Sequence, residues 1–191
     1  MSIRMLSFSL GFSLLLLLLQ PFKPALIYLR DPILAGEAWR LWSASLVHVD
    51  YAHLALNLTG FWLLMFLCST RFNLKFLIFS IFLGASSVGP GLLLFHPGVQ
   101  WYAGFSGVLY GLFLCGGILS LLARDHLTGL LLTGLPLAKV LTDGWIGGSP
   151  LTEALLSTPV LEQSHGYGMG AGLLALVLAH LPRLWGAAAW V

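Results

Sequence analysis

The chain has 191 residues, of which 58% are hydrophobic and only 8% charged, and its mean hydropathy is +0.92. A soluble domain carries about 25% charged residues, which excludes a soluble enzyme and a disordered tail, and the formal charge of +2 argues against a nucleic-acid partner. Lipid is therefore the solvent, and at roughly 20 residues per crossing the length holds five to seven spans with no separate soluble domain.

Arg4 precedes an apolar run over 6–19 that stops at Gln20-Pro21. Phe22-Lys23-Pro24-Ala25 makes a poor cleavage site, so the run reads as an uncleaved first helix at about 5–20, not a signal peptide. A polar and aromatic loop is expected over 21–50, with Tyr28, Trp39 and Trp42 suited to a lipid–water interface. Further spans are expected at 51–68, 74–95, 106–122, 127–141 and 164–181. Their breaks are Arg71/Asn73, His96-Pro97-Gly98, Arg124-Asp125 and a Gly/Ser/Pro-rich segment over 143–163. The expected fold is an all-α polytopic membrane protein, a six-helix bundle filling one domain over 1–191.

Six spans place both termini on one side, together with Arg4, Arg71, Lys75, Arg124 and Arg183 against the single acid Asp125. The other side holds Lys23, Arg30, Arg40 and Lys139 against six acids, Asp31, Glu37, Asp50, Asp143, Glu153 and Glu162. The basic residues number five to four, and three of the five lie in very short loops, where positive charge is retained most strongly. Both termini are thus expected in the cytoplasm. Cys68 and Cys115 fall in apolar stretches and read as small core residues, with no Cys-x-x-Cys or His/Cys spacing for a metal. No metal or cofactor is expected.

Polar groups inside a membrane are costly and mark function by default. Three clusters stand out, all toward the outer half of the bilayer. His53 and Asn57 are four apart, so they project from one face of the second span, one turn above the other. Both side chains can donate to developing negative charge, or simply clamp neighbouring helices. Gly104-Phe-Ser106-Gly107 opens the fourth span, where first-turn N–H groups are free to meet an anion. A lone Gly-x-Ser-Gly is also a common packing motif. Ser164-His165 opens the sixth span, and Gly168 and Gly172 stripe the same face. Gly107 and Gly111 do likewise beneath Ser106, so the fourth and sixth spans are expected to pack backbone to backbone and hold Ser106 against His165. A single intramembrane histidine is usually a structural donor; a serine and a histidine opening two glycine-striped helices on one side point further.

Together these groups meet the requirements of acyl transfer. Ser106 is the candidate nucleophile and His165 the general base and then acid, a dyad without an obvious third acid, since Glu162 reads as a solvated loop charge. The Ser106 backbone N–H, His53 and Asn57 are the candidate oxyanion donors, and Tyr110, one turn on, is placed to pack on the imidazole. The glycines over 143–163 read as a pliable cap, with substrate entering between the second and fifth spans.

This constellation resembles the rhomboid family of intramembrane serine proteases over about residues 39–172, in order and spacing. Trp39-Arg40 is similar to the family's loop-1 pair, His53-x-x-x-Asn57 to its oxyanion motif, Gly104-x-Ser106-Gly107 with Tyr110 to its nucleophile motif, and His165 with Gly168 and Gly172 to its last-helix motif. Ser164 departs from the Ala that many members carry there. Within the family the chain resembles the rhombosortases, by its minimal length, its lack of an N-terminal soluble domain, the run 101–112 and Lys139 ahead of a long loop. That resemblance implies an enzyme of the Gram-negative inner membrane, with its site opening to the periplasm. The implied partners are membrane-anchored proteins bearing a C-terminal Gly-Gly, hydrophobic helix and basic tail. A general rhomboid protease and an inactive, client-binding relative are the alternatives. A zinc protease lacks its His-Glu-x-x-His, an aspartyl protease lacks a second intramembrane Asp beside Asp143, and a transporter lacks an inverted repeat.

Overall fold

The computed structural model describes residues 1–146 and 161–184, and the chain is mostly helical. Helix α1 (Ile3–Leu19) starts where Ser2 accepts the Met5 N–H at 3.3 Å. It continues through a 3-10 turn (Gln20–Phe22) into α2 (Lys23–Leu26), because Pro21 and Pro24 each fall in a first turn, where a missing N–H costs nothing. Helix α5 (Tyr51–Cys68) is capped by Asp50, which accepts the His53 N–H at 2.7 Å, and α6 (Leu74–Phe95) by Asn73, which accepts the Phe76 N–H at 2.8 Å. Three more long helices follow: α7 (Ser106–Leu122), α8 (His126–Ile146) and α9 (Glu162–Leu184).

Three stretches, Ile3–Leu26, Tyr51–Cys68 and Leu74–Phe95, are long and apolar enough to cross a membrane, and Ser106–Leu122 and His126–Thr142 are shorter apolar helices. Large apolar side chains such as Phe66, Leu94 and Leu127 point outward, an arrangement that suits a lipid surrounding.

Two differences from the sequence reading bear on the site. The loop expected over 21–50 is not irregular: besides α2 it contains β1 (Tyr28–Leu29), α3 (Arg30–Leu34) and α4 (Arg40–Ser43). Arg40 folds it back on itself. Its buried side chain donates to the carbonyls of Pro24 (3.1 Å) and Ile27 (2.8 Å) and to the Glu37 carboxylate (2.5 Å). The segment expected to cap the site over 143–163 is also shorter than read. Helix α8 runs on to Ile146 and α9 begins at Glu162, whose negative charge favours a helix N-terminus, so Glu162 opens a helix and is not a loop charge. The remainder of that expected cap, 147–160, lies outside the described residues.

Helix α7 is the centre of the bundle, packed against α9, α8, α6 and α5. Its seam with α9 is backbone on backbone. A Cβ on Gly168 would strike the Gly107 carbonyl, one on Gly111 the Gly168 carbonyl, and one on Gly172 would sit 2.5 Å from the Gly111 oxygen. A second, two-stranded contact lies above it: β1 pairs antiparallel with β2 (Trp101–Tyr102), Tyr28 opposite Tyr102 and Leu29 opposite Trp101. The folded loop is thereby tied to the chain just ahead of α7.

The seam sets a testable contrast. Gly168→Ala should destabilise the protein by about 1–3 kcal/mol, the usual cost of overpacking, read as a lower unfolding temperature in detergent. Gly170→Ala, two residues away with nothing within 4 Å of the added methyl, should hold or raise that temperature, since Ala is the better helix former.

Candidate active site

The α7–α9 seam brings two side chains together. Ser106 is the first residue of α7, and His165 lies in the first turn of α9 with only 2% of its surface exposed. The His165 Nε2 is 3.1 Å from the Ser106 Oγ, within reach for proton transfer. Tyr110, one turn beyond Ser106, lies flat on the imidazole, with ring centroids 4.0 Å apart and planes 4° from parallel. The ring of His165 is thus held in one plane against the hydroxyl.

A cavity of about 240 Å³ opens beside this pair, lined by Ser106 and His165, by His53 and Asn57 from α5, by Tyr110, and by Lys139 from α8, among apolar neighbours. Every candidate catalytic and oxyanion side chain singled out by sequence therefore faces one space. Asn57 is buried and spends one amide hydrogen on the His53 carbonyl at 2.9 Å, leaving its second for another acceptor. The Nδ1 of His53 has no hydrogen-bond partner among the described residues. Gly104 stands at φ +144°, and a Cβ there would lie 2.7 Å from the His53 ring, so only glycine lets the loop before Ser106 pass this close. Gly107 meets the Ser164 carbonyl in the same way, at 2.7 Å from the position of its absent Cβ.

Two residues of the site carry no role in the sequence reading. Tyr102 is buried and donates its hydroxyl to the Gly104 carbonyl at 2.7 Å, bracing the loop before Ser106. Burial pushes that hydroxyl up to about 12, against smaller downward pulls from Ser164, the Gly107 backbone and Ser106, so it remains a donor. The other is His48, fully buried in the loop ahead of α5, whose Nε2 accepts the Phe105 N–H at 3.3 Å. Helical spacing links His53 to Asn57, but no periodicity reaches His48, which precedes the helix.

Burial pushes the His48 imidazole down to about 3, with a smaller push from the adjacent His53. Its accepting role requires this neutral state. A histidine buried neutral contributes stability that is complete above its ordinary value of 6.5. That stability is lost as pH falls below it, because the unfolded chain takes up a proton that the native state refuses. The unfolding temperature in detergent should therefore decline as pH drops from 6.5 toward 4, and His48→Gln should make that decline shallower.

The rhomboid domain family matches residues 35–182, well over half of the chain, and a comparison with curated proteins found no match. The matched segment contains α4 of the folded loop, every residue lining the cavity and the serine–histidine contact. This chain is an integral membrane protein that belongs to the rhomboid family, a family of intramembrane serine proteases.

Proposed function

We propose that the protein is an active intramembrane serine endopeptidase working through a Ser106–His165 dyad in a six-span bundle. The observation that carries this reading is the 3.1 Å contact between the two side chains, with Tyr110 stacked on the imidazole. Ser106 Oγ attacks the scissile carbonyl while His165 Nε2 takes the hydroxyl proton. The tetrahedral oxyanion is met by the Ser106 backbone N–H and by the side chains of His53 and Asn57, each such donor worth about 10²–10³-fold in rate. Collapse breaks the C–N bond, and His165 returns its proton to the departing amine. Water, deprotonated by the same imidazole, then releases the acyl product and restores Ser106.

Both termini lie in the cytoplasm on this reading, and the site opens toward the periplasm of a Gram-negative cell. Substrates are single-span proteins whose helix unwinds into the cavity between α5 and α8. The rhombosortase-like features favour exported proteins with a C-terminal Gly-Gly, hydrophobic helix and basic tail. Glycines near the cut ease unwinding, each lowering helix stability by about 1 kcal/mol relative to Ala.

Ser106→Ala and His165→Ala should each abolish cleavage by the purified protein while expression and membrane insertion persist; processing at the normal rate by Ser106→Ala would overturn the dyad. Deleting the gene should leave uncut tails on secreted Gly-Gly proteins, seen as heavier C-terminal peptides by mass spectrometry. Normal trimming in the deletion strain would reject the substrate class and leave the dyad standing.

A further inference from the structure

We infer that Gln20 and His48 are positioning residues for the nucleophile, through which the end of the first helix sets where Ser106 stands. The inference rests on the serine-protease reading above. Gln20 follows the last residue of α1 and is buried. Its amide nitrogen donates to the Leu16 carbonyl at 3.0 Å, and its amide oxygen accepts the His48 backbone N–H at 3.0 Å. That backbone bond is the link to His48, because a neutral ring that accepts at Nε2 carries its proton on Nδ1 and has no acceptor left for the amide nitrogen. The opposite ring nitrogen of His48 accepts the N–H of Phe105.

Phe105 is the residue that matters. It is the N-cap of α7, directly before Ser106, and its own side chain supplies no cap to the helix. Its N–H belongs to the donors that a helix start leaves without an intrahelical partner, and His48 satisfies it. The Phe105 ring is gripped from the same direction, 5.2 Å from Phe12 of α1 and 6.2 Å from Phe61. Helix α1 thus contacts the Phe105 side chain directly and reaches its backbone through Gln20 and His48. The His48 ring also meets His53 edge to face, with centroids 5.1 Å apart at 88°, so one imidazole touches the supports of both the nucleophile and the oxyanion donor.

Packing alone does not call for these residue types. Apolar side chains of similar volume would fill the two buried positions without the desolvation that an amide and an imidazole incur. What the polar pair adds is direction: a hydrogen-bonded chain fixes the height and rotation of the α7 start, and a displacement of about 1 Å at a reacting atom can cost on the order of a hundredfold. Gln20 and Phe12 lie N-terminal to the segment matched by the family, so the first helix contributes to site geometry from outside that match.

The test uses the full-length protein in detergent and a fluorophosphonate probe, which labels an activated serine without needing a natural substrate. Labelling of the wild type that is lost in Ser106→Ala secures the parent reading independently of the relay; its absence in the wild type sinks that reading. Gln20→Leu and His48→Phe keep approximate volume and remove the hydrogen-bonding groups. Both should slow the maximal inactivation rate by on the order of tenfold, with the half-saturating probe concentration changed less than about twofold. His48→Gln, whose amide oxygen can reach the place of Nε2, should label within about threefold of the wild type. The relay is rejected if the two apolar variants label at the wild-type rate, or if His48→Phe and His48→Gln lose the same amount. It is equally rejected if the loss disappears on cooling in step with recovered folding. Should His48→Phe fail to fold, Gln20→Leu decides alone, because it lines neither the cavity nor the nucleophile loop.

Discussion

Everything in this molecule that concerns chemistry depends on the glycine seam between α7 and α9. In lipid, apolar side chains gain nothing by leaving their solvent, so helices associate through close van der Waals approach and polar contacts. Gly107, Gly111, Gly168 and Gly172 allow backbone to touch backbone, and Cys115 adds a thiol contact to the Gly172 carbonyl at 3.2 Å. The first turns of both helices are thereby brought level. Ser106 and His165 meet because their helices cannot sit further apart without opening a void, and cannot slide without driving a carbonyl into an α-carbon.

The segment between α1 and α5 solves a different problem, that of holding polar backbone near a membrane surface. Its cations act as carbonyl clamps. Arg40 takes the carbonyls of Pro24 and Ile27, Lys23 the Val49 carbonyl at 2.6 Å, and Arg30 the Leu93 carbonyl at 3.0 Å. Trp42 adds an indole donor to Ser86 on α6 at 2.9 Å. Such contacts satisfy carbonyls that would otherwise be left unpaired where water is scarce. They also make the folded loop a rigid neighbour for Gly104, whose N–H donates to the Ala44 carbonyl at 3.0 Å. The loop before Ser106 is thus braced on several sides, by Ala44, Tyr102, His48 and the β1–β2 pairing.

The glycine-striped pairing was legible in sequence because small residues at helical spacing have few other uses in lipid. His53 with Asn57, and Tyr110 with Ser106, were legible because a four-residue offset places each pair on one face whatever the helix packs against. The folded loop was less so. Its elements are only two to five residues long, too short for periodicity, and they persist because Arg40, Arg30 and β2 hold them from a distance. Glu162 looks like a loop charge in sequence for a related reason: the first helical turn, Glu162-Gln163-Ser164-His165, is polar throughout.

The sequence by itself determined the solvent, the approximate placement of the long helices, and which serine and histidine are the candidates, all of which follow from local pattern and from the cost of polar groups in lipid. Tertiary structure decided the rest. The His48 backbone N–H finds the Gln20 amide oxygen across 28 residues, its ring meets the Phe105 N–H across 57, and Tyr102 gains its partner only where the chain bends over Gly104. The roles of these residues reside in contacts between distant segments, which spacing along the chain does not encode. Low charge identifies a membrane protein, but the backbone-to-backbone approach of two helices places its serine against its histidine.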